Sequence, residues 1–211
     1  MTNAVDSETW ARLGVSRESL VRLEVLVSVL ESWQKRINLV APSTLADIWN
    51  RHILDSAQLL PLMPKGLEAI ADLGSGGGFP SLVLAAIQPA RVHLFESNAK
   101  KVAFLEEALR QMKVEGVVHR QRLELSKALP NMPHVQLVTA RALAPLDELL
   151  AYAEPFMARG ATGLFHKGQD VDAELTQAAK SWKITAQKHS SLTDSKAVIL
   201  DVKEITRVDR N

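Results

Sequence analysis

Ala69-Ile70-Ala71-Asp72-Leu73-Gly74-Ser75-Gly76-Gly77-Gly78-Phe79-Pro80 is the stretch from which the rest of the chain can be read. A short apolar run ends in an acid, three alternate glycines follow, and an apolar, helix-permissive segment opens at Ser81. That order predicts strand, tight turn, helix. Gly74, Gly76 and Gly78 permit positive φ and close approach of the backbone to a ligand, and the helix behind them aims its first N–H groups at the turn. With those flanks the glycines form a nucleotide cradle; without them they would be an ordinary Gly-rich loop.

Spacing narrows the ligand. A dinucleotide fingerprint G-x-G-x-x-G begun at Gly74 needs glycine where Phe79 stands, and one begun at Gly76 needs it where Ser81 stands. A phosphate-binding P-loop fails too, because no Gly-Lys-Ser/Thr follows. The remaining pattern, D-x-G-x-G-x-G, resembles motif I of class I S-adenosylmethionine (SAM) methyltransferases, whose turn approaches the methionine and ribose rather than a pyrophosphate. Arg91-Val92-His93-Leu94-Phe95-Glu96 then alternates like a strand. Glu96 lies about 20 residues beyond Gly74, where an acid at the end of the second strand can accept both ribose hydroxyls.

With 211 residues, 46% of them hydrophobic, the chain can fill one core. It has no cysteine, which excludes disulfides, thiolate metal sites and methylation at pyrimidine C5 by cysteine attack. No signal-peptide pattern opens it and no apolar run approaches the roughly 18 residues of a membrane span, so a soluble cytoplasmic protein is expected. The 25 basic and 24 acidic residues leave a net charge of +1, so the chain is no indiscriminate polycation. Basic residues do gather locally: Arg17, Arg22, Lys35, Arg36, Arg51 and His52 in the first third, and Lys100, Lys101, Arg110, Lys113, Arg120, Arg122 and Lys127 after the cofactor motifs. Charge runs of this kind most often form solvated faces.

Leu20, Leu23, Leu26, Val27, Leu30, Trp33 and Ile37 recur at helical spacing behind Ser16, an expected N-cap. A second helix is expected from Ser43 to about Leu60, with Thr44 and Asp47 at capping-box spacing and Pro61 and Pro64 ending it. These form an N-terminal helical appendage, 1–64, beside an α/β core, 65–211, of a single domain. Within the second helix, Arg51 and Asp55 are spaced for an ion pair and His52 shares a face with Asp55. The segment can lock the appendage onto the core or offer His52 to a substrate at the cofactor mouth.

Further strands and helices alternate: a helix over 98–113, a third strand over 117–122, a fourth over 135–140, a helix over 145–157, a fifth strand over 161–166 and a helix over 170–182 capped by Asp170. Strands at 184–189 and 197–208 close the sheet as a hairpin. Ligands collect at the C-terminal ends of such strands, so Leu123-Glu124 can flank the adenine, and Arg141, directly after the fourth strand, and Lys167-Gly168, after the fifth, occupy the catalytic rim. Arg141 replaces the Asp/Asn-Pro-Pro-aromatic loop of exocyclic-amine methyltransferases, and its guanidinium suits the methionine carboxylate or a substrate phosphate.

Taken together, Asn38-Leu39, Arg51-His52-Ile53-Leu54-Asp55-Ser56, the Asp72 to Pro80 turn, Phe95-Glu96-Ser97 with Lys100-Lys101, Ala140-Arg141-Ala142 and Lys167-Gly168 resemble the RsmG family, once called glucose-inhibited division protein B. The resemblance runs nearly end to end. It implies a class I SAM-dependent methyltransferase fold, α/β and Rossmann-like, with a seven-stranded mostly parallel sheet, and methylation of N7 of a guanosine in bacterial 16S ribosomal RNA. The cofactor would be SAM, its product S-adenosylhomocysteine, and the partner 16S rRNA or the 30S subunit, with neither membrane nor metal and a monomeric chain. Cofactor contacts are expected from Gly74, Gly76, Gly78, Phe79, Glu96, Ser97, Leu123, Glu124 and Arg141; Arg141, His52 and Lys167 are positioning candidates, and no acid or base is assigned. Two residues depart from the family pattern. Ser81 replaces a usual glycine, which could set the helix start slightly further from the methionine, and Asn98 replaces a common leucine, which leaves the adenine side more polar. Methylation of a small molecule or a protein, and a non-catalytic SAM-binding ribosome assembly factor, are the competing readings.

Overall fold

The computed structural model describes residues 5–123 and 132–208. Strand β1 (Ala69–Leu73) lies at its centre, fully buried along its length, as expected for a run covered on both faces. Around it β2 (Arg91–Glu96), β3 (Gly116–Arg120), β4 (Leu137–Arg141), β5 (Thr162–Lys167), β6 (Trp182–Ser190) and β7 (Val198–Arg207) form one seven-stranded sheet in the order 3-2-1-4-5-7-6. The first five are parallel, and β7 runs antiparallel to β5 and β6. Order reverses between β1 and β4, and this switch point opens the ligand crevice of an open α/β sheet. Pairing of Leu73 with Ala140 brings Arg141 level with the start of the glycine turn.

One face of the sheet is covered by α2 (Arg17–Gln34), α4 (Ser81–Ile87) and α5 (Ala99–Met112). Ser16 caps α2 by accepting from the Ser19 amide at 3.2 Å, as its sequence position predicts. The α2 residues Leu23, Leu26 and Leu30 are completely buried in the same cluster as Ile70, Val92 and Leu94 of the sheet. The N-terminal helices therefore share the core of the sheet with α4 and α5. Ahead of them α1 (Ser7–Arg12), unforeseen in the sequence, is capped by Asp6 and buries Trp10 edge-on against Trp49 at 6.3 Å. The other face carries α6 (Leu146–Met157) and α7 (Val171–Ala178).

Two expected helices differ. The continuous helix from Ser43 is instead a 3-10 stretch (Pro42–Asp47), a π stretch (Trp49–Leu54), one α turn, α3 (Asp55–Ala57), and a second 3-10 turn (Leu60–Leu62). The capping box does not form, because Thr44 turns its hydroxyl to the Ala41 carbonyl at 2.7 Å and to His52, while Asp47 accepts from Asn50. The helix expected over 170–182 ends at Ala178; Trp182 begins β6, its ring buried and its indole N–H donated to Asp147 at 2.8 Å. Asp170 stands at the N-cap position without a side-chain cap bond.

Candidate active site

At the end of β1 the chain makes the expected turn: Gly74, Gly76 and Gly78 have φ of 68, 53 and 84°. The Gly78 amide donates to the Ser75 carbonyl at 2.7 Å and the Ser75 amide to Phe95 O at 3.0 Å, which ties the turn to β2. Gly77 is required for a different reason, since a Cβ there would stand 2.9 Å from the Leu39 carbonyl; the Asn38-Leu39 segment docks its backbone on the turn. Glu96 closes the cradle from the side. Its two carboxylate oxygens accept the Gly76 amide at 3.0 Å and the Asn98 amide at 2.8 Å, so the acid and the glycine turn hold one another in place. Asn98 in turn caps α5 with its side chain, accepting from Lys100 and Lys101, so its polar group is engaged by the helix. A cavity of about 540 Å³ opens here, walled by Gly74, Gly76, Glu96, Ser97, Lys101 and Leu123 among others.

Beneath the turn lies a buried polar chain. Thr139 donates to Asp72 Oδ1 at 2.7 Å and shares a hydrogen bond of 2.9 Å with Ser81. All three residues are fully buried. The Ser81 departure is thus absorbed by the hydroxyl of the neighbouring strand. Burial raises the Asp72 carboxyl to about 7, against the hydrogen bonds from Thr139, Ser75 and Ser81 that lower it.

The second cavity, about 670 Å³, lies on the other side of the rim and contains the polar network of the N-terminal segment. Arg141 donates to Asp55 Oδ2 at 2.8 Å, to the Arg51 carbonyl at 3.3 Å and, by a very short contact, to His52 Nδ1. A guanidinium only donates, so His52 accepts at Nδ1 and carries its proton on Nε2, 2.7 Å from Thr44 Oγ1. The Thr44 hydroxyl passes the chain on to Ala41 O. Burial foremost, then the Arg141 charge, lowers His52 to about 4, which keeps the imidazole neutral. Its ring stacks on Phe79 with centroids 5.0 Å apart, and the Arg141 guanidinium lies 5.5 Å from the centroid of the same ring. His166 donates from Nε2 to the Asp55 carbonyl at 2.8 Å.

On the far wall, the buried Lys167 ammonium is 2.5 Å from Glu174, whose same oxygen accepts the Leu146 amide at 2.6 Å. Lys167 also reaches the Ala144 carbonyl at 3.3 Å. Both contacts grip the loop after Arg141, in which Ala142 takes φ of 52°, unusual for a residue with a Cβ. Leu143 from this loop fills the space over Gly74, where a Cβ would meet its Cδ1 at 2.5 Å.

The fold therefore gathers Gly74, Gly76, Phe79, Glu96, Ser97, Leu123, Arg141, His52 and Lys167 around two adjoining cavities. Gly78 turns inward against Leu82, and Glu124 lies outside the described residues. The Arg51–Asp55 pair expected from helical spacing does not form: the π stretch rotates these side chains, Arg51 faces Asp194 at 3.6 Å, and Asp55 serves Arg141, Gln58 and Thr193. Arg141 and Lys167 are the last residues of their strands rather than the first beyond them. Sequence reading missed Thr44, Glu174 and the β6–β7 turn as parts of the site. None carries a local signal, because each is brought to the rim from a different element.

The family model described as "rRNA small subunit methyltransferase G" matches residues 19–203. A protein named ribosomal RNA small subunit methyltransferase G from Rhodospirillum rubrum is 50% identical over 197 residues, covering 93% of this chain and 96% of its own. One of the same name from Paramagnetospirillum magneticum is 47% identical over 200 residues, covering 95% and 96%. Among solved structures, a ribosomal protein L11 methylase from Lactobacillus delbrueckii superposes with a TM-score of 0.54 at 18% identity over 73% of this chain and 76% of that one. A fibrillarin/Nop5p complex structure gives 0.52 at 13%, over 72% and 81%. These two similarities concern the fold, which is that of the class I methyltransferases.

Proposed function

The chain belongs to the rRNA small subunit methyltransferase G family, and from that premise we propose that it methylates N7 of a guanosine in 16S ribosomal RNA with SAM as donor, releasing S-adenosylhomocysteine. The observation that supports this reading best is the pair of cavities meeting at Gly74, Gly76, Lys101, Ala142, Leu143 and Ala144, which allows donor and acceptor to be held on opposite sides of one rim. The glycine turn, Glu96, Ser97 and Leu123 fit an adenosine on the smaller side: the pre-oriented Glu96 carboxylate suits ribose hydroxyls, and Leu123 suits an adenine face. Arg141, the only guanidinium deep in the rim among the described residues, suits the methionine carboxylate. SAM supplies a sulfonium-activated methyl group.

Guanine N7 carries an exposed lone pair, so the protein needs no general base, and neutral His52 is suited to packing rather than proton transfer. Its task is alignment, and such positioning is worth up to about 7 to 11 kcal/mol. Lys167 and Glu174 position the loop at the junction, and His52 with Asp55 sets the guanidinium plane of Arg141. We further propose that the protein acts as a monomer and a single domain in the cytoplasm; no described helix is long and apolar enough to cross a membrane. Incubation with tritiated SAM and free 16S RNA, 30S subunits or cell extract tests the reaction. Label at guanine N7 of 16S RNA is expected. Label confined to protein or small molecules, or SAM binding without transfer, would sink the reading.

A further inference from the structure

Three large apolar side chains are exposed among the described residues: Val21 at 58%, Val117 at 41% and Leu192 at 66%. Only Leu192 is beside the site. It belongs to the β6–β7 turn, whose Thr193, Asp194 and Ala197 line the larger cavity. This turn is rigidly held. The Leu192 amide donates to Gln58 Oε1 at 2.7 Å, Thr193 donates to Asp55 Oδ1 at 2.6 Å, and Ala197 N donates to Asp194 O at 3.0 Å. The tethers run to the same segment that holds Arg141, so the leucine is presented at a fixed place while its side chain faces water.

The same turn carries or meets two cations. Lys196 on it is exposed, and Arg51, itself 46% exposed, meets Asp194 of the turn only at 3.6 Å. An exposed ion pair of this kind is weak, so Arg51 can exchange its carboxylate for a phosphate at little cost. An apolar side chain on the same surface as basic residues is the combination by which proteins enter a nucleic-acid stack. Guanine N7 in A-form RNA faces a deep, narrow groove, and an enzyme working on a base must first take it out of the stack.

We propose that Leu192 is the wedge that fills the gap left in the RNA stack when the target guanosine enters the larger cavity, with Arg51 and Lys196 on the adjoining phosphates. This rests on the RNA methyltransferase reading above. It assigns the β6–β7 turn to substrate unstacking and gives Leu192 no contact with the cofactor.

Two RNAs and two variants test it. One RNA is a structured 16S-derived fragment in which the target guanosine is stacked; the other has abasic residues on both sides of that guanosine, so no stack has to be opened. Leu192→Ala should lower kcat/KM about 10-fold on the stacked RNA, the scale of one lost base-stacking contact, and by less than about 2-fold on the abasic RNA. Leu192→Met, which keeps apolar bulk, should stay near wild type on both. S-adenosylhomocysteine affinity and Tm should be unchanged in both variants, because the side chain is exposed. An equal loss for Leu192→Ala on the two RNAs, or no loss on either, overturns the wedge while leaving the RNA methyltransferase reading intact. Wild-type protein that methylates the 16S RNA of 30S subunits but neither of these RNAs overturns the wedge alone, and wild-type protein that methylates none of the three overturns both.

Discussion

At the scale of single residues, two buried acids act in opposite ways. Glu96 is held by two backbone amides, so its remaining lone pairs are pre-aimed into the smaller cavity. Glu96→Ala should weaken SAM binding by about 1.5 to 3 kcal/mol, the range for hydrogen bonds to a charged acceptor, with part of the loss coming from a loosened glycine turn. Calorimetry with S-adenosylhomocysteine checks this, and an unchanged Kd would place Glu96 away from the ribose. Asp72 is instead penalised for ionising. Burial raises its folded-state value to about 7 from 3.8, so the native state holds an extra proton between those values and stability falls as pH rises through that window. His52 does the reverse: its folded value of about 4 against 6.5 gives a contribution complete above 6.5 and lost as pH falls toward 4. The two slopes oppose one another where they overlap. Asp72→Asn removes the falling one, so between pH 4 and pH 6.5 its Tm should climb with pH more steeply than that of wild type. Parallel Tm curves for variant and wild type would show that the Asp72 carboxyl titrates normally.

At the scale of elements, the stretch Trp49–Leu54 is the piece on which the site depends. A π stretch is uncommon and recurs at functional sites, because its wider turn redirects side chains. Here it brings His52 onto Phe79 and leaves Asp55 for Arg141. The Arg141–Asp55 pair is mostly buried, with side-chain exposures of 20% and 15%, so removing one partner leaves a charge unmatched. Asp55→Ala should cost about 3 to 5 kcal/mol, whereas Asp55→Ala combined with Arg141→Met should cost less than the two single changes added together. Urea denaturation of the four proteins measures the coupling, and simple additivity would deny the pair any structural role.

At the scale of the whole molecule, the N-terminal helices are the cover of one sheet face. Leu26 is completely buried among residues of α2, α4 and α5. Leu26→Ala should therefore cost about 2 to 5 kcal/mol and lower a single cooperative transition for the entire chain. Two separated transitions in urea, with the later one unmoved, would show that 1–64 folds apart from 65–211. Much of this architecture was legible in the sequence. The strand-turn-helix at 69–87, the acid ending β2, the order of later strands and the closing hairpin all follow from period and glycine placement, because those features depend on backbone sterics and burial within a few residues. The ligand crevice followed as well, since strand order in a parallel α/β sheet fixes where it opens. What local pattern could not supply was the partnering of the site. Helical spacing paired Arg51 with Asp55, but Arg141, about 90 residues away in the chain, competes for that carboxylate in a water-poor cleft where a charge-assisted bond is stronger than an exposed helix pair. That competition goes with the π stretch in place of an α-helix, the neutral tautomer of His52, and the alignment of the β6–β7 turn, with Leu192 at its tip, beside the cavity. Sheet, cradle and crevice are written in the pattern of the chain, whereas the charges that meet across the crevice are set by tertiary contact, because an ion pair is chosen by distance and desolvation in the folded state and not by separation along the chain.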